Sequence, residues 1–461
     1  MRPGHSRRAS FAVLVVLVAA GLTTTMSARQ RPRPNVVLII ADDLGYGDLS
    51  SYGAPDIRTP HLDTLAQGGV RMTSFYANAP VCTPTRAALI TGRYQQRVML
   101  ERPLRANVNE GLPVTGRSLP QLLKNNGYAT GLVGKWHLGR REAVRPLAHG
   151  FDSFWGYLAG YIDWYSHTNS EGAPDLWENA SPVTHTGYFG HEVTRRAVGF
   201  IADHARQPFF LEVAYGAPHW PYQSPHRASS ARDKARHLRA SDADHPTRED
   251  YVTIVEDADA GVGQILDALT RHGLTDNTLV VFMSDNGGEW LSRNAPFFHR
   301  KDSLWEGGIR VPAIFRWPSV LPAGATSDQV GITMDVTATV LAATATPVPP
   351  ETRLEGRDLV PILSSKAPAV ERTLYWRNTP AGQTQRAVRR GDWKFLLDGE
   401  SEFLFNLRDD PGERNDLATQ QHARVREMRA LSDAWVKDVD AEAKSLASPT
   451  ARGLAGLLRI R

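Results

Sequence analysis

The residues with most chemistry to offer stand in one run, Cys82-Thr83-Pro84-Thr85-Arg86, continued by Ala87-Ala88-Leu89-Ile90-Thr91-Gly92-Arg93. Cys82 is the only cysteine in the chain, so it cannot form an internal disulfide. Thr83 suits a helix N-cap, and Pro84 the first helical position, where the N–H that proline lacks would be unpaired anyway. Arg86 to Ile90 then read as a short helix that Gly92 stops. Cys82 is thus expected just before a helix N-terminus, where free N–H groups and the helix dipole favour negative charge. A buried structural thiol is the ordinary alternative.

Four further polar groups each follow an apolar run. Asp42-Asp43 follows residues 35–41, and Lys135 with His137 follows residues 129–133. His219 follows residues 209–215, and Asp285-Asn286 follows residues 278–283. Such runs read as strands buried on both faces, as in a parallel sheet. Ligands of open α/β sheets bind beyond the carboxyl ends of the strands, so neighbouring strands would bring all four groups into one crevice. Asp42, Asp43, Asp285 and Asn286 offer only oxygen donors, a set that favours Ca²⁺ or Mg²⁺ over zinc. Taken singly, Asp-Asp and Asp-Asn-Gly are also good turn sequences. His137 and His219 taken singly read as packed loop histidines.

Cys-x-Pro-Thr-Arg followed by Leu-x-Thr-Gly-Arg resembles the signature of the type I sulfatases, with Thr85 where that family usually has Ser. Gly134-Lys135-Trp136-His137-Leu138-Gly139 and Ala217-Pro218-His219-Trp220-Pro221 look like family loops as well. So do Glu306-Gly307-Gly308-Ile309-Arg310-Val311-Pro312 and the tail around Leu404-Phe405-Asn406-Leu407 and Asp410-Pro411-Gly412-Glu413. The likeness covers most of residues 34–365. Within that family the chain resembles the arylsulfatase and N-acetylgalactosamine-4-sulfatase-like members, and residues 151–157 and 163–167, rich in aromatics, look like the corresponding stretch of the latter. Their rings could face a sugar or simply fill the core.

The resemblance implies an alkaline-phosphatase-like α/β sandwich with a central, mostly parallel sheet and a small C-terminal antiparallel sheet. It also implies that a formylglycine-generating enzyme oxidises Cys82 to formylglycine, whose hydrate is the nucleophile. Calcium would be bound by Asp42, Asp43, Asp285, Asn286 and an oxygen of modified Cys82. Arg86, Lys135, His137, His219 and Lys301 match the remaining active-site positions, whereas Arg310 reads as structural. The expected reaction is hydrolysis of an aryl or carbohydrate sulfate monoester. Cations would stabilise the charge that develops. His137 would be the base that helps expel sulfate, and His219 with Lys301 would stand near the leaving oxygen. A phosphonate or phosphate-ester hydrolase, or a secreted glycan-binding protein on the same scaffold, are the competing readings.

The elements that must position these residues are legible as alternating strands and helices up to about residue 365. Residues 151–188 read as a loop-rich insertion, and 223–247 as a polar surface excursion. Short strands at 373–376, 385–389, 393–397 and 402–406 and a helix over 420–437 then make a separate α+β unit, residues 366–461. Residues 1–28 read as a signal peptide: Arg2, Arg7 and Arg8, an apolar run from Phe11 to Leu22, and Ser27-Ala28. That run is short for a stable membrane span, so the protein is expected to be exported, periplasmic or secreted. Without those three arginines the net charge of +4 falls to +1. The chain shows no clustered basic stripe of the kind that binds nucleic acid.

Overall fold

The strand Asn35–Asp42, all eight residues of it buried, lies inside a ten-stranded sheet. Phe209–Pro218 pairs with it in parallel on one side and Thr278–Ser284 on the other. Ala129–Lys135 lies parallel beyond Phe209–Pro218. The four strands that end in polar clusters are therefore consecutive neighbours pointing the same way. This is the computed structural model of the chain, and it describes Met1 and residues 33–226, 246–379 and 382–447. The expected signal segment and most of the polar excursion lie outside the described residues.

Ser153–Tyr157 continues the sheet in parallel beside Ala129–Lys135, so part of the expected loop-rich insertion is a sheet strand. Its Phe154, Trp155 and Tyr157 are buried, and their aromatic character masked an ordinary inner-strand pattern. Ala313–Arg316 runs antiparallel against Thr278–Ser284 on the other flank.

Side chains alternate between the faces of a strand, and the sheet is covered on both. Val36, Leu38 and Ile40 join a core with Leu89, Ile90 and Val340, which come from the helices Cys82–Thr91 and Thr333–Ala343. Val37 and Ile39 join the opposite core with Val193 and Ile265, from Phe189–Asp203 and Arg248–Arg271. The latter helix starts on a capping box in which Thr247 and Asp250 satisfy each other's backbone N–H.

Thr373–Asn378, Gln385–Arg390, Trp393–Asp398 and Ser401–Asn406 form a four-stranded antiparallel sheet in chain order. Trp376, Leu396 and Trp435 pack there with Tyr76, Leu304 and Ile309, so this sheet shares a core with the body that carries the polar clusters. The final helix, His422–Ala447, runs ten residues past its expected end at 437. The described residues from Arg33 onward pack as one unit. This is the mostly parallel α/β sandwich with a small C-terminal antiparallel sheet that the resemblance implies. Among the described residues no helix is long and apolar enough to cross a membrane.

Candidate active site

The helix begins at Cys82 itself, with Val81 as an extended N-cap, and not at Pro84. Proline at the third position costs no hydrogen bond, because the first four helical N–H groups have no intrahelical partner. Thr83, expected as the cap, donates its hydroxyl to His137 O at 2.9 Å and accepts from Leu104 N at 3.2 Å. Thr85 closes the turn before the helix: its hydroxyl donates to Ala79 O at 2.9 Å and accepts from Ala79 N at 3.1 Å. A serine would offer the same hydroxyl, which explains why Thr85 fits the signature. The Cys82 thiol is 2% exposed and lies 3.3 Å from Asp42 Oδ1, to which it donates.

Each buried carboxylate has its own cation. Lys135 Nζ donates to Asp42 Oδ2 at 2.5 Å, and Lys301 Nζ to Asp43 Oδ2 at 2.6 Å. Arg86 Nε donates to Asp285 Oδ2 at 3.0 Å, and its Nη1 donates to Lys135 O at 3.3 Å. Asn286 Nδ2 donates to Asp43 Oδ1 at 2.7 Å. The resulting cluster holds three negative and three positive charges with almost no exposure to water, a density that matched pairing alone makes tolerable.

Two glycines permit these approaches. Gly134, before Lys135, has φ +115°, and a Cβ there would lie 1.9 Å from Ala214 O. A Cβ on Gly287 would meet Gly307 O at 2.0 Å, so only glycine lets the loop after Asp285 lie against the segment after Lys301. Asp43 and His137 hold positive φ of 65° and 57° without being glycine. Such strain gathers where surrounding structure fixes a functional side chain.

The two histidines are held in opposite senses. His137 Nε2 donates to Leu104 O at 3.0 Å, which leaves Nδ1 as a buried acceptor with no partner. Burial, then Lys135, pushes its pKa well down, so it stays neutral. His219 Nδ1 donates to Trp220 O at 2.6 Å, leaving Nε2 3.5 Å from Asp43 Oδ2. Burial and Lys301 push His219 down to about 3 against the pull of Asp43. Burial, then Asp42, pushes the Cys82 thiol well up, so it is no ready thiolate. Asp285 is raised to about 6 by burial and by Asp42.

The structure thus brings together every residue singled out in the sequence: Asp42, Asp43, Cys82, Arg86, Lys135, His137, His219, Asp285, Asn286 and Lys301. Ligand-capable atoms of Asp42, Asp43, Cys82 and His219 lie within 4.8 Å of one another, and Asp285 and Asn286 adjoin Asp43 through direct hydrogen bonds. The buried amide oxygen of Asn286 has no hydrogen-bond partner. That orphan acceptor and three carboxylates fit a hard divalent cation. Arg310 is structural as expected, bonded to Glu306, Thr73 O and Ser74.

Two features escaped the sequence reading. Tyr157 places a fully buried, unpartnered hydroxyl within electrostatic reach of Asp42, Arg86 and Cys82. Its signal was visible only as one ring in an aromatic stretch. The loop around Leu104 is fixed by Thr83 and His137 and carries no motif at all.

Comparison with known proteins agrees with the geometry. The family model described as Sulfatase matches residues 34–346, and the one described as N-sulphoglucosamine sulphohydrolase, C-terminal, matches residues 296–434. N-acetylgalactosamine-6-sulfatase of Mus musculus is 34% identical over 412 residues, 84% of this chain and 75% of that protein. Arylsulfatase A of Bos taurus is 33% identical over 463 residues, 88% of this chain and 86% of that protein. Among solved structures, Ps i-CgsB superimposes with a TM-score of 0.80 at 32% identity, over 87% of this chain and 92% of that one. Ps i-CgsB has also been solved in complex with k-i-k-neocarrahexaose.

Proposed function

The chain belongs to the sulfatase family, whose members are sulfuric ester hydrolases, and from that premise we propose that it cleaves an aryl or carbohydrate sulfate through a formylglycine hydrate made from Cys82. The observation that carries this reading is the place of Cys82: the first residue of a buried helix, 3.3 Å from Asp42, among three carboxylates and three cations. A thiol pushed up by burial is a poor nucleophile. A hydrated aldehyde at residue 82 supplies one hydroxyl to attack sulfur and a second through which the residue is restored.

Asp42, Asp43, Asp285 and Asn286 would hold a calcium ion, or magnesium, together with an oxygen of modified Cys82. That ion would supply Lewis-acid stabilisation of the sulfate oxygens. Lys135, Lys301 and Arg86, each fixed by a carboxylate, supply positive charge where the transition state becomes more anionic. His137, neutral and with Nδ1 free, is the base. His219 turns Nε2 toward the cluster and would protonate the leaving oxygen; a bound anion raises the pKa that Lys301 depresses.

At 2% exposure, Cys82 is beyond the reach of a second protein, so its maturation by a formylglycine-generating enzyme would precede folding. Residues 1–28 would direct export to the periplasm or beyond. We place the catalytic part at residues 34–365 and the C-terminal unit at 366–461. Sulfated carbohydrate is the favoured substrate class, because a structural relative was solved with an oligosaccharide.

The test is the tryptic peptide Met72–Arg86 from active protein. Its mass should report an aldehyde at residue 82, and a thiol in fully active protein would overturn the mechanism. Side-by-side turnover of aryl sulfate and aryl phosphate should favour the sulfate.

A further inference from the structure

Cys82, His137, His219 and Lys301 form the floor of a cavity of about 730 Å³. That volume is already within the range of about 300–1,000 Å³ for small-ligand sites. A second cavity of about 1390 Å³ adjoins it. Val81 and Asp302, the chain neighbours of Cys82 and Lys301, line the second. Arg102, Pro103 and Glu110 line both, so the two meet along that segment as one groove. It runs from the reacting position to Arg377 on the C-terminal sheet and Thr384 beside it. An aryl sulfate or a single sugar would leave that second stretch unused.

The segment that the two cavities share is a fixed piece of chain. Leu104 is buried, donating its N–H to Thr83 and accepting from His137. Arg105, the next residue, is exposed, lines the first cavity, and makes no hydrogen bond or ion pair through its side chain among the described residues. Arg102 pairs with Glu110 at 3.3 Å, but both are open to water, a contact worth little. Two guanidinium groups thus stand one and two residues from Leu104 without strong protein partners. Guanidinium is suited to bidentate binding of an oxyanion. In the same cavity, Tyr161 and Trp220 lie with ring centroids 3.9 Å apart, and Tyr161 stacks on the His219 ring at 5.8 Å. Such a wall can take the apolar face of a sugar ring.

We propose that the groove binds an extended sulfated oligosaccharide, so that the sulfate cleaved belongs to a unit within a chain, and that Arg105 and Arg102 hold an anionic group on the neighbouring unit. This rests on the sulfatase reading and adds chain length and a second anion to it. Tyr161 and Trp220 face the reacting unit, and the second cavity takes the units beyond Arg102.

Three probes test it: an activated aryl sulfate, and size ladders of carrageenan and of chondroitin sulfate oligosaccharides from disaccharide to octasaccharide. Binding of each ladder is read by calorimetry, so no ladder need be the true substrate, and aryl sulfate turnover is read separately. Affinity should tighten by about tenfold or more from disaccharide to hexasaccharide on at least one ladder. Arg105→Ala and Arg102→Ala should each weaken hexasaccharide binding by about tenfold, as expected for loss of one charge-assisted contact. Both should cost far less in aryl sulfate turnover than in hexasaccharide binding, since an aryl ester has no neighbouring unit for them to hold. Affinity independent of length on both ladders overturns the proposal. So does an Arg105→Ala loss of equal size with the aryl sulfate. Length-dependent binding with no hydrolysis of any sulfate ester would instead overturn the sulfatase reading and keep the groove.

Discussion

Two regions of this molecule bury charge at similar density, and only one of them is built for chemistry. At the strand ends, Asp42, Asp43 and Asp285 meet Lys135, Lys301 and Arg86. Between that body and the C-terminal sheet, Lys394 Nζ lies 3.0 Å from Glu306 Oε1 and 2.7 Å from Glu413 Oε1. Tyr76 donates to Glu306 Oε2 at 2.5 Å, Arg310 adds a contact at 3.2 Å, and Arg389 donates to Tyr76 Oη. Glu413 Oε2 accepts from Glu306 N at 2.6 Å. In this second cluster the protein supplies a hydrogen bond or an ion pair to each carboxylate oxygen of Glu306 and Glu413, Glu413 Oε1 having only its ion pair with Lys394. In the first, Asn286 Oδ1, His137 Nδ1 and the Tyr157 hydroxyl have none, and a cavity opens above Cys82. Buried charge marks a site when the protein leaves it incompletely satisfied.

The two clusters are linked through one segment. Asn378 Nδ2 donates to Asp302 O, Leu304 N donates to Gln385 Oε1, and Trp305 Nε1 donates to Asp398 Oδ2. The C-terminal sheet thereby holds the stretch from Lys301 to Glu306 at successive points. Its charge network is an anchor for the segment that carries Lys301.

The contrast breaks most sharply at the incomplete cluster. Cys82→Ala should abolish turnover and leave the melting curve nearly unchanged, because alanine removes the group to be oxidised while changing little volume at residue 82. Asp285→Ala should lose both activity and bound metal, since removing one carboxylate weakens a divalent site and strands Arg86. Elemental analysis should find calcium or magnesium in the parent protein; stoichiometric zinc would refute the donor-set argument.

Next in size is His219→Ala. General acid help is worth about 10²–10⁴-fold, and a leaving group of low pKa does not need it. The loss should therefore be large with a sugar sulfate and small with an activated aryl sulfate. Equal losses on both substrates would assign the acid to Lys301.

The satisfied cluster should respond in stability. Lys394→Met leaves Glu306 and Glu413 sharing too little positive charge, and breaking a buried pair of this kind costs about 3–5 kcal/mol. Adding Glu413→Gln should restore part of that, as the unpaired charge is removed. Denaturant unfolding measures both. A Lys394→Met protein as stable as the parent would show that the network is not an anchor.

How much of this the sequence held varied with the range of the interaction. The four central strands, the acidic pairs, His137 and His219 were legible because each is a local pattern, an apolar run followed by a polar ending, and Cys82 through its own motif. Their adjacency was not, since strand order depends on pairing across more than 200 residues, as between Asp43 N and Asp285 Oδ1. The start of the Cys82 helix was misread by two residues because Thr83 looks like a cap, yet its hydroxyl serves His137 O. Ser153–Tyr157 was hidden because residues 151–188 are rich in aromatic, Gly and polar residues, a composition that suits a loop-rich insertion. Lys394 carried no signal, and Glu413 only its place in a family-like tail; neither shows a role until the C-terminal sheet brings them to Glu306.

The smallest effect concerns a buried charge that belongs to neither cluster. Glu212 sits in mid-strand opposite Leu38 and Leu132, 3% exposed, with Oε2 lacking a partner. Burial pushes its pKa up to about 7, and Arg86 opposes this only partly. The folded pKa lies above the unfolded one, so between about 4.5 and 7 the folded chain keeps a proton that the unfolded chain has lost. Stability then falls as pH rises through that window and levels off above it. A shift of about 2.5 units corresponds to about 3 kcal/mol at most. Glu212→Gln cannot ionise, so the difference in unfolding free energy between variant and parent should grow in the variant's favour from pH 4.5 to 7 and stay constant beyond. Asp259, raised to about 6, contributes equally to both proteins and cancels. A difference that does not change with pH would show that Glu212 finds a partner when ionised, and would add it to the satisfied class with Glu306.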